Sequence, residues 1–171
     1  MGAPPPTKRA YIVGVMGPGA GATPTDLDNA YQLGTAIAEA GYILLTGGRG
    51  EGVMGAAHQG AADANGISIG ILPGDTTDGM APGVTIPIVT GLGSARNNIN
   101  ILTSDVIIAC GMGLGTASEI ALGLKAGKQV ILLGGGPEAY ALFGPLSDAL
   151  LTLADSVETA VAACRPAPNQ T

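Results

Sequence analysis

The sequence has a single histidine, His58, two cysteines, Cys110 and Cys164, one phenylalanine and no tryptophan. One histidine and two cysteines leave the usual zinc sites and a Ser-His-Asp triad without support. Two cysteines are also too few for a disulfide scaffold, which points to the cytoplasm. Aromatic residues make up 3% of the chain, so stacking platforms for single-stranded nucleic acid are not expected. Cations are scarce as well: seven Lys and Arg against thirteen Asp and Glu give a net charge of −6, poor equipment for holding a phosphodiester backbone. Nucleic acid is therefore not an expected partner. No apolar run reaches the roughly eighteen residues that a membrane span needs, so a soluble protein without a membrane partner is expected. An anionic small molecule remains open, because backbone N–H groups and helix N-termini hold phosphate without net positive charge.

What the chain has in quantity is glycine, 29 of 171 residues, beside 46% apolar content. That combination suits a core of closely packed backbone and aliphatic side chains. The opening Met1 to Arg9 is too short and too rich in proline for a secretory signal, and Pro6 stands where a myristoylation signal wants Ser or Thr. Residues 1–8 are expected to form a disordered tail, 9–165 a single ligand-binding domain and 166–171 a flexible tail, with no internal repeat and no linker.

Short aliphatic runs mark the strands: Tyr11 to Val15, Tyr42 to Leu45, Ile67 to Leu72, Val84 to Val89, Val106 to Ile108 and Val130 to Leu133. Most are apolar throughout rather than alternating, as in a parallel sheet covered on both faces. Helical periodicity falls between them. The first helix is expected to start at Thr25, with Asp28 three residues on, and to run to Gly41. Further helices are expected over about Val53 to Asn65, Ser94 to Leu102 and Thr116 to Ala126, with helical pieces at Asp148 to Leu153 and Val157 to Cys164. The fold class that follows is α/β: a Rossmann-like, doubly wound, mostly parallel sheet with helices on both faces.

In such a sheet ligands bind at the carboxyl ends of the strands, and three loops there are rich in glycine. They are Gly17 to Ala22, Thr46 to Gly52 and Cys110 to Thr116. A dinucleotide reading fails at the second strand, which runs into Leu45-Thr46-Gly47-Gly48 where an Asp or Glu for the ribose is wanted. No Gly-Lys-Ser/Thr closes a P-loop, so Walker-type hydrolysis is not supported. In the third loop Gly113, Leu114, Gly115 and Thr116 lead directly into a helix, where free N–H groups, the dipole and the Thr116 hydroxyl suit a phosphate. The buried stripe of that helix is expected at Ala117, Ile120, Ala121 and Leu124. Glu119 shares the side of Thr116, beside that stripe; it is either a ligand group or a first-turn carboxylate that favours the dipole.

Arg96 opens the preceding helix, where a cation opposes the dipole, so a partner is expected, either Glu119 or a ligand phosphate. Arg49 in the second loop is either a ligand contact or a flexible surface residue. Cys110 reads as a small buried strand-end residue and His58 as a helix-surface or packed one.

The stretch Gly111-Met112-Gly113-Leu114-Gly115-Thr116-Ala117-Ser118-Glu119 resembles the signature Pro-Gly-Gly-x-Gly-Thr-x-x-Glu of the Lonely Guy, or lysine-decarboxylase-like, superfamily. Gly111 and Met112 replace its Pro and first Gly. Thr46 to Ala57 and Gly70-Ile71-Leu72-Pro73-Gly74 extend the resemblance over roughly residues 10 to 135. Hydrolases of that superfamily release free base and ribose 5-phosphate from nucleoside 5'-monophosphates by means of Arg and Glu. Were this chain such a hydrolase, the catalytic pair would be Arg96 and Glu119. The hydrolases place that Arg in Met-His-x-Arg-Lys, whereas here it stands in Gly93-Ser94-Ala95-Arg96-Asn97. The Ala95-Arg96-Asn97 form, with Ser118-Glu119, is more similar to the molybdenum cofactor carrier branch.

That resemblance implies a binding protein that carries or stores the cofactor, rather than an enzyme, with no metal ligated directly by protein. The residues implied in binding are Gly17, Gly47, Gly48, Arg49, Gly52, Arg96, Gly113, Leu114, Gly115, Thr116 and Glu119. Beyond the small phosphate-bearing ligand, the implied partners are further copies of the chain, as a dimer or tetramer, and molybdoenzymes or cofactor-synthesis proteins.

Overall fold

The computed structural model describes residues 9–164. The tails expected at 1–8 and 166–171 lie outside the described residues.

Seven strands form one sheet, all parallel: β1 (Ile12–Met16), β2 (Ile43–Thr46), β3 (Ser68–Leu72), β4 (Ile86–Val89), β5 (Val106–Cys110), β6 (Gln129–Leu133) and β7 (Leu151–Ala154). Their order is β4-β3-β2-β1-β5-β6-β7. The chain steps outward from β1 to β4, returns to the other side of β1 and steps outward again. The direction of winding therefore reverses between β1 and β5, and a crevice opens there at the carboxyl ends.

Helices cover both faces. On one, α1 (Pro24–Glu39), α2 (Gly52–Asp63) and α6 (Val157–Ala163) bury Leu33, Ile37, Val53, Ala57 and Ala160 against Val13, Val15, Val106 and Ile108. On the other, α3 (Asn97–Thr103), α4 (Leu114–Lys125) and α5 (Gly136–Phe143) bury Ile101, Ile120, Ala139 and Phe143 against Met16, Leu45, Ile107 and Val130. Successive residues of β5 thus feed opposite cores, which is why that strand reads as one apolar run. Glycine sets the helix spacing: a Cβ on Gly34 of α1 would fall on the Ala57 carbonyl of α2, so the two helices pack backbone to backbone.

Several expected boundaries move. The N-cap of α1 is Thr23, not Thr25: its hydroxyl accepts the Asp26 N–H at 3.2 Å while the Asp26 carboxylate accepts the Thr23 N–H at 2.9 Å, and Pro24 sits in the first turn, where its missing N–H costs nothing. The third helix splits into a 3-10 turn, Gly93–Arg96, and α3. α4 begins at Leu114, two residues before Thr116, which puts Glu119 in the second turn and removes the first-turn reading of that residue. Its inward face is Thr116, Glu119, Ile120 and Gly123, whereas Ala121, expected inside, is exposed.

The segment expected to be helical from Asp148 to Leu153 is instead a turn, with Asp148 and Ala149 at φ 45° and 65°, followed by β7, whose pairing with β6 overrides its local helical pattern. α5 opens at Gly136-Pro137, after Gly134-Gly135, and has no counterpart among the expected elements. β4 is shorter than the expected Val84 to Val89 and lies exposed at the sheet edge, where Pro87 is tolerated. Among the described residues no helix is long and apolar enough to cross a membrane.

Candidate functional site

The crevice at the β1/β5 reversal is a cleft of about 620 Å³. Nine of the expected site residues line it: Gly17, Gly47, Arg49, Arg96, Gly113, Leu114, Gly115, Thr116 and Glu119. Gly48 and Gly52 do not; Gly48 packs behind the loop against Gly70, and Gly52 turns beneath the backbone of Pro18 and Gly19.

The floor on one side is the start of α4. Gly113, the N-cap, brings no side chain to cap the helix, so the first-turn N–H groups of Leu114, Gly115 and Thr116 have no acceptor within it. α1 and α6, by contrast, each close their N-termini with a capping box. The Leu114 side chain is 94% exposed, so what this residue offers inside the cleft is its main chain. Thr116 is buried, and its hydroxyl has no hydrogen-bond partner among the described residues.

Arg96 approaches from the opposite wall. It is 9% exposed, and its guanidinium lies over Gly47, where a Cβ would fall on Nη1. Gly47 is therefore the seat of Arg96. Among the described residues the Arg96 Nε has no hydrogen-bond partner, and burial pulls the guanidinium below its ordinary pKa against the attraction of Glu119. Glu119 is not within ion-pair distance of it: among the described residues the ion pairs are Arg9–Asp105 and Arg49–Glu51, the latter at 3.8 Å at the cleft mouth. Of the two partners expected for Arg96, the carboxylate shares the cleft without pairing.

Glu119 is 7% exposed and accepts one hydrogen bond, from Asn100 Nδ2 at 3.1 Å. Burial pushes its carboxyl up to about 7, opposed by that hydrogen bond and by Arg96. Asn100 is fully buried, and its Oδ1 has no partner. This residue was not among the expected ones, although it lies four positions after Arg96 on the same helical face. Ser94 and Asn97, which flank Arg96, and Gly19, Glu51 and Met54 also line the cleft without having been expected there.

Two other residues keep out of it. Cys110 is fully buried at the end of β5, with its thiol pushed up to about 12 by burial, as a strand-end packing residue should be. His58 is fully buried in α2, between the Thr46 hydroxyl at 2.8 Å and the Ser68 hydroxyl at 2.9 Å. Among the described residues no group of three or more His, Cys, Asp or Glu side chains is placed to hold a metal ion.

The sequence pattern of the SLOG cluster4 family matches residues 10–161. The chain belongs to that family. It is similar to the molybdenum cofactor binding protein of the phototrophic bacterium Rippkaea orientalis, at 56% identity and a TM-score of 0.90, over 92% of this chain and 96% of that one. It is similar too to the molybdenum cofactor carrier protein of Chlamydomonas reinhardtii, at 52% identity and a TM-score of 0.87, over 91% of this chain and 96% of that one. An uncharacterized protein of Archaeoglobus fulgidus is 45% identical over 106 residues, 61% of this chain and 68% of that protein. The two molybdenum cofactor proteins bear out the fold class and the resemblance to the carrier branch.

Proposed function

We propose that this SLOG cluster4 protein binds the molybdenum cofactor as a carrier or store, with the ligand's phosphate on the first turn of α4. The observation that carries this reading is a set of buried donors with nothing to donate to: the Arg96 Nε and the Thr116 hydroxyl have no protein partner, beside a helix N-terminus left uncapped. Buried polar groups in native proteins are normally satisfied, and an anion in the cleft would complete these. Two relatives that are 56% and 52% identical over the aligned residues bind that cofactor, which supports the choice of ligand.

The residues fit such a ligand. The N–H groups of Leu114, Gly115 and Thr116 would hold the phosphate, with Arg96 closing over it and Glu119 beside it, while Arg49 faces the remainder. Gly17 and Gly47 let the backbone come close, and Gly48 and Gly52 act by shaping the loop. A carrier needs burial and complementarity, not stabilisation of a transition state, and the cleft offers both without an assembled nucleophile. In this reading the protein works in the cytoplasm as a homo-oligomer and hands its cargo to molybdoenzymes or receives it from cofactor synthesis.

A second reading is favoured by one observation: Arg96 and Glu119, the pair that an N-glycosidic hydrolase would use, both line the cleft. A paired assay separates the two. The purified protein is titrated with molybdenum cofactor by calorimetry or fluorescence, and incubated with a panel of nucleoside 5'-monophosphates while released base is measured. Saturable cofactor binding without base release is expected. Base release at enzymatic rates that is lost in Glu119→Ala would replace the carrier reading with the hydrolase.

A further inference from the structure

The carrier reading accounts for Arg96 and Thr116 but leaves a buried carboxyl in an anion site unexplained. Glu119 is one helical turn from Thr116 on the inward face of α4, so an anion on the α4 N-terminus would lie close to its carboxyl, in a wall largely closed to water. A carboxylate there repels a phosphate; a neutral carboxyl does not and can donate its own proton to it. We propose that Glu119 takes up one proton from solvent when a phosphate-bearing ligand enters the cleft, with Asn100 as the positioning residue that holds its carboxyl, so that loading is favoured at low pH and release at high pH. The proposal rests on the preceding reading only in that the cleft takes a phosphate.

The surroundings of Glu119 support it. From α3 and the turn before it come Arg96, which lies outside ion-pair distance, and Asn100, the one hydrogen-bond donor to the carboxyl. β5 and β6, against which α4 packs, carry no ionisable side chain other than the neutral thiol of Cys110. The loop after β2 brings Arg49 and Glu51, paired with each other at the mouth. No cation therefore locks Glu119 in its charged form. Burial already brings its carboxyl to about 7, and a ligand anion pushes it further in the same direction.

Asn100 donates to the carboxyl from a fully buried position while its own Oδ1 remains without a partner. A neutral Glu119 gives its one O–H to the ligand anion and keeps a carbonyl oxygen for the Asn100 Nδ2–H, so that bond is retained in either protonation state and is stronger to the carboxylate.

The test uses the whole protein and two probes, inorganic phosphate and sulfate; sulfate does not titrate near neutral pH, so its pH dependence reports the protein alone. Calorimetry in buffers of different ionisation heat, from pH 6 to 9, is expected to show proton uptake per sulfate bound rising from near zero at pH 6 to about one above the carboxyl's titration, with affinity falling about tenfold per pH unit there. Glu119→Gln should bind with no such slope, and Asn100→Ala should move the midpoint of the slope to higher pH, since a hydrogen bond that favours the charged form is lost. A slope retained in Glu119→Gln, or a sulfate affinity that does not vary with pH in the native protein, overturns the proposal. If Glu119→Gln does not fold, the carboxyl stretching band in infrared difference spectra of the native protein with and without sulfate reads the same proton directly, and an unchanged band overturns it. Proton uptake by the protein on binding sulfate, without binding of molybdenum cofactor, would sink the choice of cargo and keep this inference; cofactor binding without the proton would do the reverse.

Discussion

Two groups of buried polar side chains flank the turn at Thr46-Gly47-Gly48, and they are satisfied to different degrees. Around His58 every bond is closed. The Ser68 hydroxyl donates to the Gly83 carbonyl, so it accepts from His58, whose Nδ1 must carry the proton; Nε2 then accepts from the Thr46 hydroxyl, which in turn accepts the Gly48 N–H. Around Arg96 three buried atoms are left open, on Arg96, Asn100 and Thr116. A closed network of this kind fixes the shape of a loop, whereas an open one keeps capacity for a ligand at some cost to the stability of the empty protein. The loop between them links the two: His58 anchors Thr46, and Gly47, next in sequence, carries the guanidinium.

Mutations should therefore separate stability from affinity according to the group they touch. The largest effect is expected from Arg96→Ala, which should weaken phosphate-ligand binding about a hundredfold or more, roughly 3 kcal/mol for lost charged hydrogen bonds, while the protein stays folded. Calorimetric titration checks it, and a change of less than about threefold would break the contrast.

His58→Leu is expected to do the opposite, lowering stability by about 2–3 kcal/mol and the melting temperature by roughly 5–10 °C, with affinity little changed well below the melt. The same residue sets an acid dependence. Burial lowers its pKa from 6.5 to about 4, so the unfolded chain binds the proton first; the contribution of His58 is complete above 6.5 and should fall by roughly 3 kcal/mol as pH drops to about 4. Glu119 titrates in the opposite sense over much of that range, so the check is a difference: by denaturant titration, the stability of the native protein relative to His58→Leu should fall by roughly 3 kcal/mol between pH 6.5 and 4.

A smaller effect of opposite sign is expected at Glu119. Its carboxyl rises from 4.5 to about 7 on folding, so its contribution is complete below 4.5 and is lost as pH rises through 7. Glu119→Gln should therefore be more stable than the native protein at pH 8, by about 1–2 kcal/mol, as read from thermal melts; equal stability at that pH would mean that the carboxylate is better solvated than its burial implies.

The finest test of the comparison is Gly47→Ala. The atom in the way is the end of a flexible side chain, so the fold should tolerate the methyl group while Arg96 is displaced, with about a tenfold loss of affinity, ~1.4 kcal/mol, and a nearly unchanged melt.

The apolar runs and the glycine spacing were enough to read an α/β sheet, the three loops at its carboxyl end and nine of the residues that meet there, because strand burial and helix N-termini are local properties. The capping box of α1 was equally local but was assigned two residues late, since Thr23 and Thr25 present the same pattern and only the reciprocal bonds with Asp26 distinguish them. β7 could not be read from its own residues, because its strand form comes from the neighbour that it pairs with.

For the cleft the division is similar. The sequence by itself determined that Gly113 to Thr116 would lead into a helix and that Arg96 and Glu119 were charged residues to place near it, since residue type and spacing decide which groups can exist there. Only the tertiary structure decided that Arg96 rests on Gly47 and not on Glu119, that Glu119 turns inward with a carboxyl near neutrality, and that Asn100, from outside the cleft, is its hydrogen-bond donor. Burial and the distance between side chains on different elements are set by how the two halves of the sheet bring their loops together, and no stretch of sequence contains that distance.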